Sequence, residues 1–334
     1  MNPMRRFTLG ACAPLLALLL AVAPARTEQA ETCVGRDLTH VDGVAAAEAK
    51  RADDLLNADG LFWRVDKAGL APSYVFGAIH STDESALEIA RRAARQIEGA
   101  KVVVTELGGP LDLTEKANVG AAMLSKALDR DHDTFEGAIT PEDREPIEKL
   151  LARFGYPSEF AHHLKLWFLA VLTGMPSCEV RRQAGLPEVD QFLAQTAKDA
   201  GVKVVGLETA QEQLNAVANT PPEVAAAILA LTAREPDLND DVYATMLKLY
   251  RESRPTEILP ITDAVGNLSD SERAAQDEFM RILLVGRNAT MAERAAPLLA
   301  DGGAFIAVGA LHLSGKDGLI ERFRAAGYTV TKVW

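Results

Sequence analysis

Several signatures are missing from this sequence. It has no Gly-x-x-x-x-Gly-Lys loop, no His-Glu-x-x-His pair and no Gly-x-Ser-x-Gly elbow, so nucleotide triphosphatase, zincin and serine-hydrolase readings lack their motifs. Basic residues are in deficit: 35 Lys and Arg against 47 Asp and Glu leave a formal charge of -12. That balance argues against nucleic acid or an anionic membrane as the main partner. Beyond Val22 no run approaches the ~20 apolar residues that a membrane span requires, and there is no tandem repeat or low-complexity tract. Cysteine is scarce, at three in 334 residues.

Residues 1–25 read as an export signal. Arg5 and Arg6 form a positive start, Ala11 to Val22 a short apolar core, and Ala23-Pro24-Ala25 a cleavage site. The core is too short and wrongly flanked for a transmembrane anchor. Leu9-Gly10-Ala11-Cys12 is not a lipidation box, because the apolar run follows Cys12 instead of preceding it. Cleavage would place the protein in the periplasm or outside the cell and bring the formal charge to about -14. It would also discard Cys12, leaving Cys33 and Cys178 either as free buried thiols or as a bridge. A bridge closing so long a loop would stabilise the fold by roughly 4–5 kcal/mol on the chain-entropy model.

The organisation beyond the signal is a polar lead-in over 26–57 and one large domain over 58–334. Leu61 to Val65 alternates as a strand and forms a hairpin with Tyr74 to His80. Ser81 and Glu84 have capping-box spacing ahead of a helix, and Lys101 to Leu107 is the next strand. A strand-helix-strand crossover makes the strands on either side parallel, so His80 and Glu106 face one edge. Residues 111–260 are mainly helical, forming a cap interrupted by the strand Lys203 to Glu208. Thr140-Pro141 opens one helix and Pro157 another, which is expected to run over 159–172; residues 255–266 read as a connector. Ser269 to Leu299 is helical with a break near Gly286, followed by the strand Ala304 to His312 and a closing strand, Tyr328 to Trp334. The fold class is therefore α/β, with a central mixed, largely parallel sheet, flanking helices and a helical cap.

One shape occurs twice. Tyr74-Val75-Phe76-Gly77-Ala78-Ile79-His80 and Phe305-Ile306-Ala307-Val308-Gly309-Ala310-Leu311-His312 are each an apolar run ending in Gly-Ala-x-His. Each delivers a histidine where a buried strand runs out, with a glycine allowing close backbone approach. His80, His312 and Glu106 together form two imidazoles and a carboxylate, a recurrent donor set for metal-assisted hydrolysis. Glu208 ends a strand in the same way and either joins this site or complements the N-terminus of the helix that follows. Arg287, with Asn288 beside it, either binds a substrate carboxylate or orients Glu106. His162 and His163 are adjacent on a helix and point apart, which argues against a shared ion.

These residues resemble the TraB/GumN family, whose eukaryotic relatives include the Tiki proteins. The resemblance runs through Ser73 to His80, Val103-Val104-Thr105-Glu106, Val189-Asp190, Val204 to Thr209, Arg287-Asn288 with Met291, and Ala307 to Leu319. It implies a fold related to erythromycin-esterase and ChaN-like proteins and a metal-dependent hydrolytic site. By that resemblance His80, Glu106 and His312 are the metal or catalytic residues, with Arg287 and Asn288 in support. The implied ion is manganese, cobalt or zinc, and the implied substrate a peptide or protein. The sequence departs from the family's Gly-Thr-Ile-His and Gly-x-Gly-His at Ala78 and at Ala310-Leu311, where Leu311 adds bulk. The rival expectations are a non-catalytic cleft for haem, metal or a glycan precursor, and a degenerate hydrolase fold acting as an interaction scaffold.

Overall fold

Strands β1 (Phe62–Asp66), β2 (Ser73–Ala78), β3 (Val102–Thr105), β4 (Lys203–Gly206), β5 (Ala304–Gly309) and β6 (Thr329–Lys332) form a single sheet in the order β4-β3-β5-β2-β1-β6. The computed structural model describes residues 33–109, 113–176, 178–179 and 187–334. The export signal read over 1–25 lies outside the described residues, as does the start of the lead-in. Residues Thr32–Trp334 make one compact unit, and no helix among the described residues is long and apolar enough to cross a membrane.

The sheet is mixed and mostly parallel, as its sequence pattern requires. β1 pairs antiparallel with β2 and with β6, whereas β5 pairs parallel with β2 on one side and β3 on the other. β3 in turn pairs parallel with β4. β5 is buried on both faces, which explains its unbroken apolar run. Phe305 and Ala307 point to one face, where Phe76 and Val103 meet the helices Glu84–Ala94 and Val189–Asp199 through Ala90, Leu87 and Leu193. Ala304, Ile306 and Val308 point to the other, against Met291, Ala295 and Leu299 of the helix Val285–Ala300 and Phe323 of the helix Leu319–Ala325. The helical region from Ala127 to Ala233 has an apolar core of its own around Phe135, Leu151, Trp167 and Leu229.

Some local expectations are corrected by tertiary partners. The helix after His80 is capped by Asp83, whose side chain accepts from Ser85 N, and not by Ser81. The helix expected over 159–172 is two, Ser158–Ala161 and Leu166–Thr173, because Leu128 and Leu164 form an isolated bridge and Lys165 N donates to Ala127 O. The connector over 255–266 is a 3-10 turn and the helix Ile258–Val265, in which Pro260 occupies the first turn, where no intrahelical donor is lost. The polar lead-in carries one helix, Val44–Lys50, and Cys33 and Cys178 are bridged, with Cα atoms 5.3 Å apart.

Candidate functional site

Four adjacent parallel strands each deliver one polar side chain at their carboxyl ends: Glu208 beyond β4, Glu106 beyond β3, His312 beyond β5 and His80 beyond β2. In open α/β sheets this edge is where ligands bind. The two Gly-Ala-x-His motifs lie side by side with a one-residue offset, since Ala78 pairs with Gly309. Their proximity explains the first glycine: a Cβ on Gly77 would stand 3.0 Å from Ala310 Cα and Cβ. On the far side, pairing continues past β3 and β4, where Glu208 N donates to Glu106 O at 2.8 Å.

Glu106 is 4% exposed. Its Oε1 accepts from Gly309 N at 2.8 Å, and its Oε2 accepts from Arg287 Nη2 at 2.8 Å and Gln213 Nε2 at 2.9 Å. Arg287 also grips Glu208, with Nε 3.0 and 3.1 Å from its two oxygens and Nη2 2.7 Å from Oε2. The guanidinium thus forks across both carboxylates. Burial alone would raise the Glu106 pKa, but the positive potential of His312, His80 and Arg287 and the Gly309 N–H bring it down to about 2. Gln213, on the helix Ala210–Ala218, bridges Glu106 and Glu208. It was not singled out from sequence, where a helical glutamine carries no signal.

His312 is 3% exposed and its Nδ1 lies 2.6 Å from Asn288 Oδ1. The orientation of that amide follows from its other end, where Asn288 Nδ2 donates to Asp317 O at 3.1 Å. The oxygen therefore faces the ring, Nδ1 carries the proton, and the Nε2 lone pair faces Glu106 Oε1 at 3.8 Å. Burial pushes the His312 pKa down to about 4, and the neighbouring Arg287 and His80 charges push the same way against Glu106. His80 is the opposite case. Its Nδ1 pairs with Asp190 Oδ2 at 3.0 Å, and this hydrogen bond holds the imidazolium up to about 9 although the side chain is 61% exposed.

The His312 shift has a sign that can be checked. Below about 6.5 the unfolded chain takes up a proton that the folded chain refuses until about 4. Folded stability should therefore fall by on the order of 3 kcal/mol as pH drops through that window. Denaturant titrations between pH 7 and 4 measure the slope, and an unchanged slope in His312→Gln would refute this assignment. His80 acts in the other direction: its contribution is present below 6.5 and is lost as pH rises through about 9.

The donor chemistry fits a divalent ion. Both imidazoles are anchored through Nδ1 by an acceptor, leaving Nε2 for a ligand, which is the usual support for metal-binding histidine. Asp190 Oδ1 is buried with no hydrogen-bond partner among the described residues. As placed, however, no three His, Cys, Asp or Glu groups among the described residues stand close enough together to hold an ion. Beside Asn288 and Leu311 lies a cavity of about 400 Å³, walled by Leu259, Met280, Leu284 and Val285 with Lys316 at hand. Elsewhere His162 sits between Asp133 and Glu148, 3.1 Å from each, and stacks on Phe135 within the helical region.

A model of the TraB/PrgY/gumN family matches residues 61–332. Comparisons with curated proteins and with solved structures returned no match.

Proposed function

The chain belongs to the TraB/PrgY/gumN family, and from that premise we propose that it is an exported metal-dependent hydrolase acting on peptides. The observation that carries this reading is the edge on which a buried, ionised glutamate and two Nδ1-anchored histidines follow one another on adjacent strands. His80, His312 and Glu106 would hold a manganese, cobalt or zinc ion, which when bound supplies Lewis-acid polarisation of a carbonyl and a lowered pKa for water. His312 contributes an unprotonated Nε2 at neutral pH, because Asn288 keeps its proton on Nδ1. Asp190 orients His80, and Arg287 with Gln213 holds Glu106 in place. The cavity beside Leu311, lined by apolar side chains together with Arg51, Asp54, Asp277 and Arg281, gives a substrate side chain somewhere to go. Export is supported by the pattern of residues 1–25 and by the Cys33–Cys178 bond, which persists in oxidising compartments.

A second reading, a non-catalytic cleft for haem, metal or a glycan precursor, is favoured by one observation. Both Glu106 oxygens already have donors, which suits a fixed binding surface. The two are separated by measuring bound metal in the wild type, His80→Ala and His312→Ala, and by digesting a peptide library with added manganese, cobalt or zinc. Loss of metal in both variants together with metal-stimulated cleavage is expected. Equal metal in all three proteins would overturn the metal site, and ligand capture without turnover would leave the second reading.

A further inference from the structure

We propose that Glu179 is the positioning residue of His80 and that the Cys33–Cys178 disulfide makes this clamp sensitive to dithiol reductants. The inference rests on His80 belonging to the reactive edge described above. An exposed ring with one side-chain partner takes its direction mainly from the backbone that carries it. That backbone is held on both sides. Before it, Ile79 packs on the apolar cluster of Cys33, Cys178, Tyr243 and Leu247. After it, Ser81 and Thr82 are buried and attached to Glu179, itself 5% exposed.

The attachment is dense. Glu179 Oε1 accepts from Ser81 Oγ at 2.9 Å and Thr82 N at 3.2 Å, and Oε2 accepts from Thr82 Oγ1 at 2.9 Å. The Tyr243 hydroxyl bridges Ser81 Oγ and Glu179. Ser81 O accepts from Val189 N at 3.2 Å, and the residue after Val189 is Asp190, which holds the His80 ring. One carboxylate thus fixes both the backbone under His80 and, through Ser81, the strand of contacts leading to its ring partner. Ser81 is drawn away from helix capping because it serves this clamp.

Glu179 is in turn fixed by its neighbour. Cys178 is bonded to Cys33, whose segment is tied to the helix Leu238–Arg251 by Arg36 Nε to Asp241 at 2.7 Å and by Leu38 N to Thr245 Oγ1 at 3.1 Å. Cys33 borders a surface recess with Val34 and Lys248, which gives a small reductant an approach. Reduction transfers two electrons and two protons from the dithiol, which becomes a disulfide while Cys33 and Cys178 become thiols. The covalent anchor of the residue next to Glu179 is then gone, and the clamp is left to its hydrogen bonds.

The test reads His80 directly, without relying on hydrolysis. In uniformly ¹⁵N-labelled protein, Glu179→Gln keeps the disulfide and should speed amide exchange at Ser81 and Thr82 by about tenfold or more, with a shift of the His80 ring ¹⁵N signals. The His312 Nδ1–H signal should persist. Dithiothreitol should produce the same change in the wild type, and reoxidation should reverse it. Unchanged exchange and unshifted His80 ring signals in Glu179→Gln would overturn the positioning role, and an unchanged reduced wild type would overturn redox sensitivity. Failure of peptide cleavage alone would count against the hydrolase reading and not against this one.

Discussion

Replacing Arg287 with alanine is expected to lower unfolding free energy by about 3–5 kcal/mol, the usual cost of removing one partner from a buried ion pair. The guanidinium is the shared counter-charge of Glu106 and Glu208, whose side chains are 5% and 4% exposed. Its loss leaves two acids in contact with the Gln213 amide, with Arg294 the remaining positive charge acting on Glu208. Against a typical total of about 5–15 kcal/mol, that loss is large. The deficit should also depend on pH. It should shrink in acid, because one carboxyl can then take up a proton and relieve the repulsion. Urea denaturation of wild type and variant at pH 7 and pH 5 measures both effects. A loss below about 1 kcal/mol at pH 7 would place Arg287 among ordinary surface pairs, contrary to the geometry. Arg287→Lys should recover only part of the stability, since an ammonium cannot reproduce the forked contacts to both acids.

How much of this was legible beforehand varies with the range of the interaction responsible. The strands bearing His80, Glu106 and His312 could be read because a strand buried on both faces is a continuous apolar run with a clear end, as Ala304 to Gly309 shows. The common edge followed from the crossover rule. What sequence did not reveal was that β5 lies between β2 and β3, which depends on pairing across more than two hundred residues. The same applies to Arg287: its contact with two acids depended on Glu208 arriving beside Glu106. The Val189-Asp190 pair carries no role in its own sequence, and the structure sets Asp190 against His80. Gln213 and Glu179 had no local pattern to mark them, because each acts only on residues distant in sequence.

Glu106→Gln should lower kcat/KM about 10²–10³-fold on any peptide that the wild type cleaves, the scale seen when a charge-stabilising group is lost from an active site. The substitution nearly preserves volume, and Glu208 remains to pair with Arg287. Its structural cost arises where a side-chain amide replaces Oε2 and faces the Arg287 and Gln213 donors. Leaving such groups without an acceptor costs about 1–3 kcal/mol, so the variant should still fold at room temperature while activity falls. Circular dichroism and thermal melting, run beside kinetics, separate the two losses. The pH profile supplies an independent check. Because Glu106 stays ionised down to about 2, an acidic limb near 4 in the titration of the metal-free protein belongs to His312 gaining a proton on Nε2. Asn288→Ala should displace that limb and leave Glu106 ionised, since Asn288 contacts the ring and not the carboxylate. Wild-type-like turnover in Glu106→Gln, within about tenfold, would remove the carboxylate from the chemistry and leave it only the structural role it shares with Glu208.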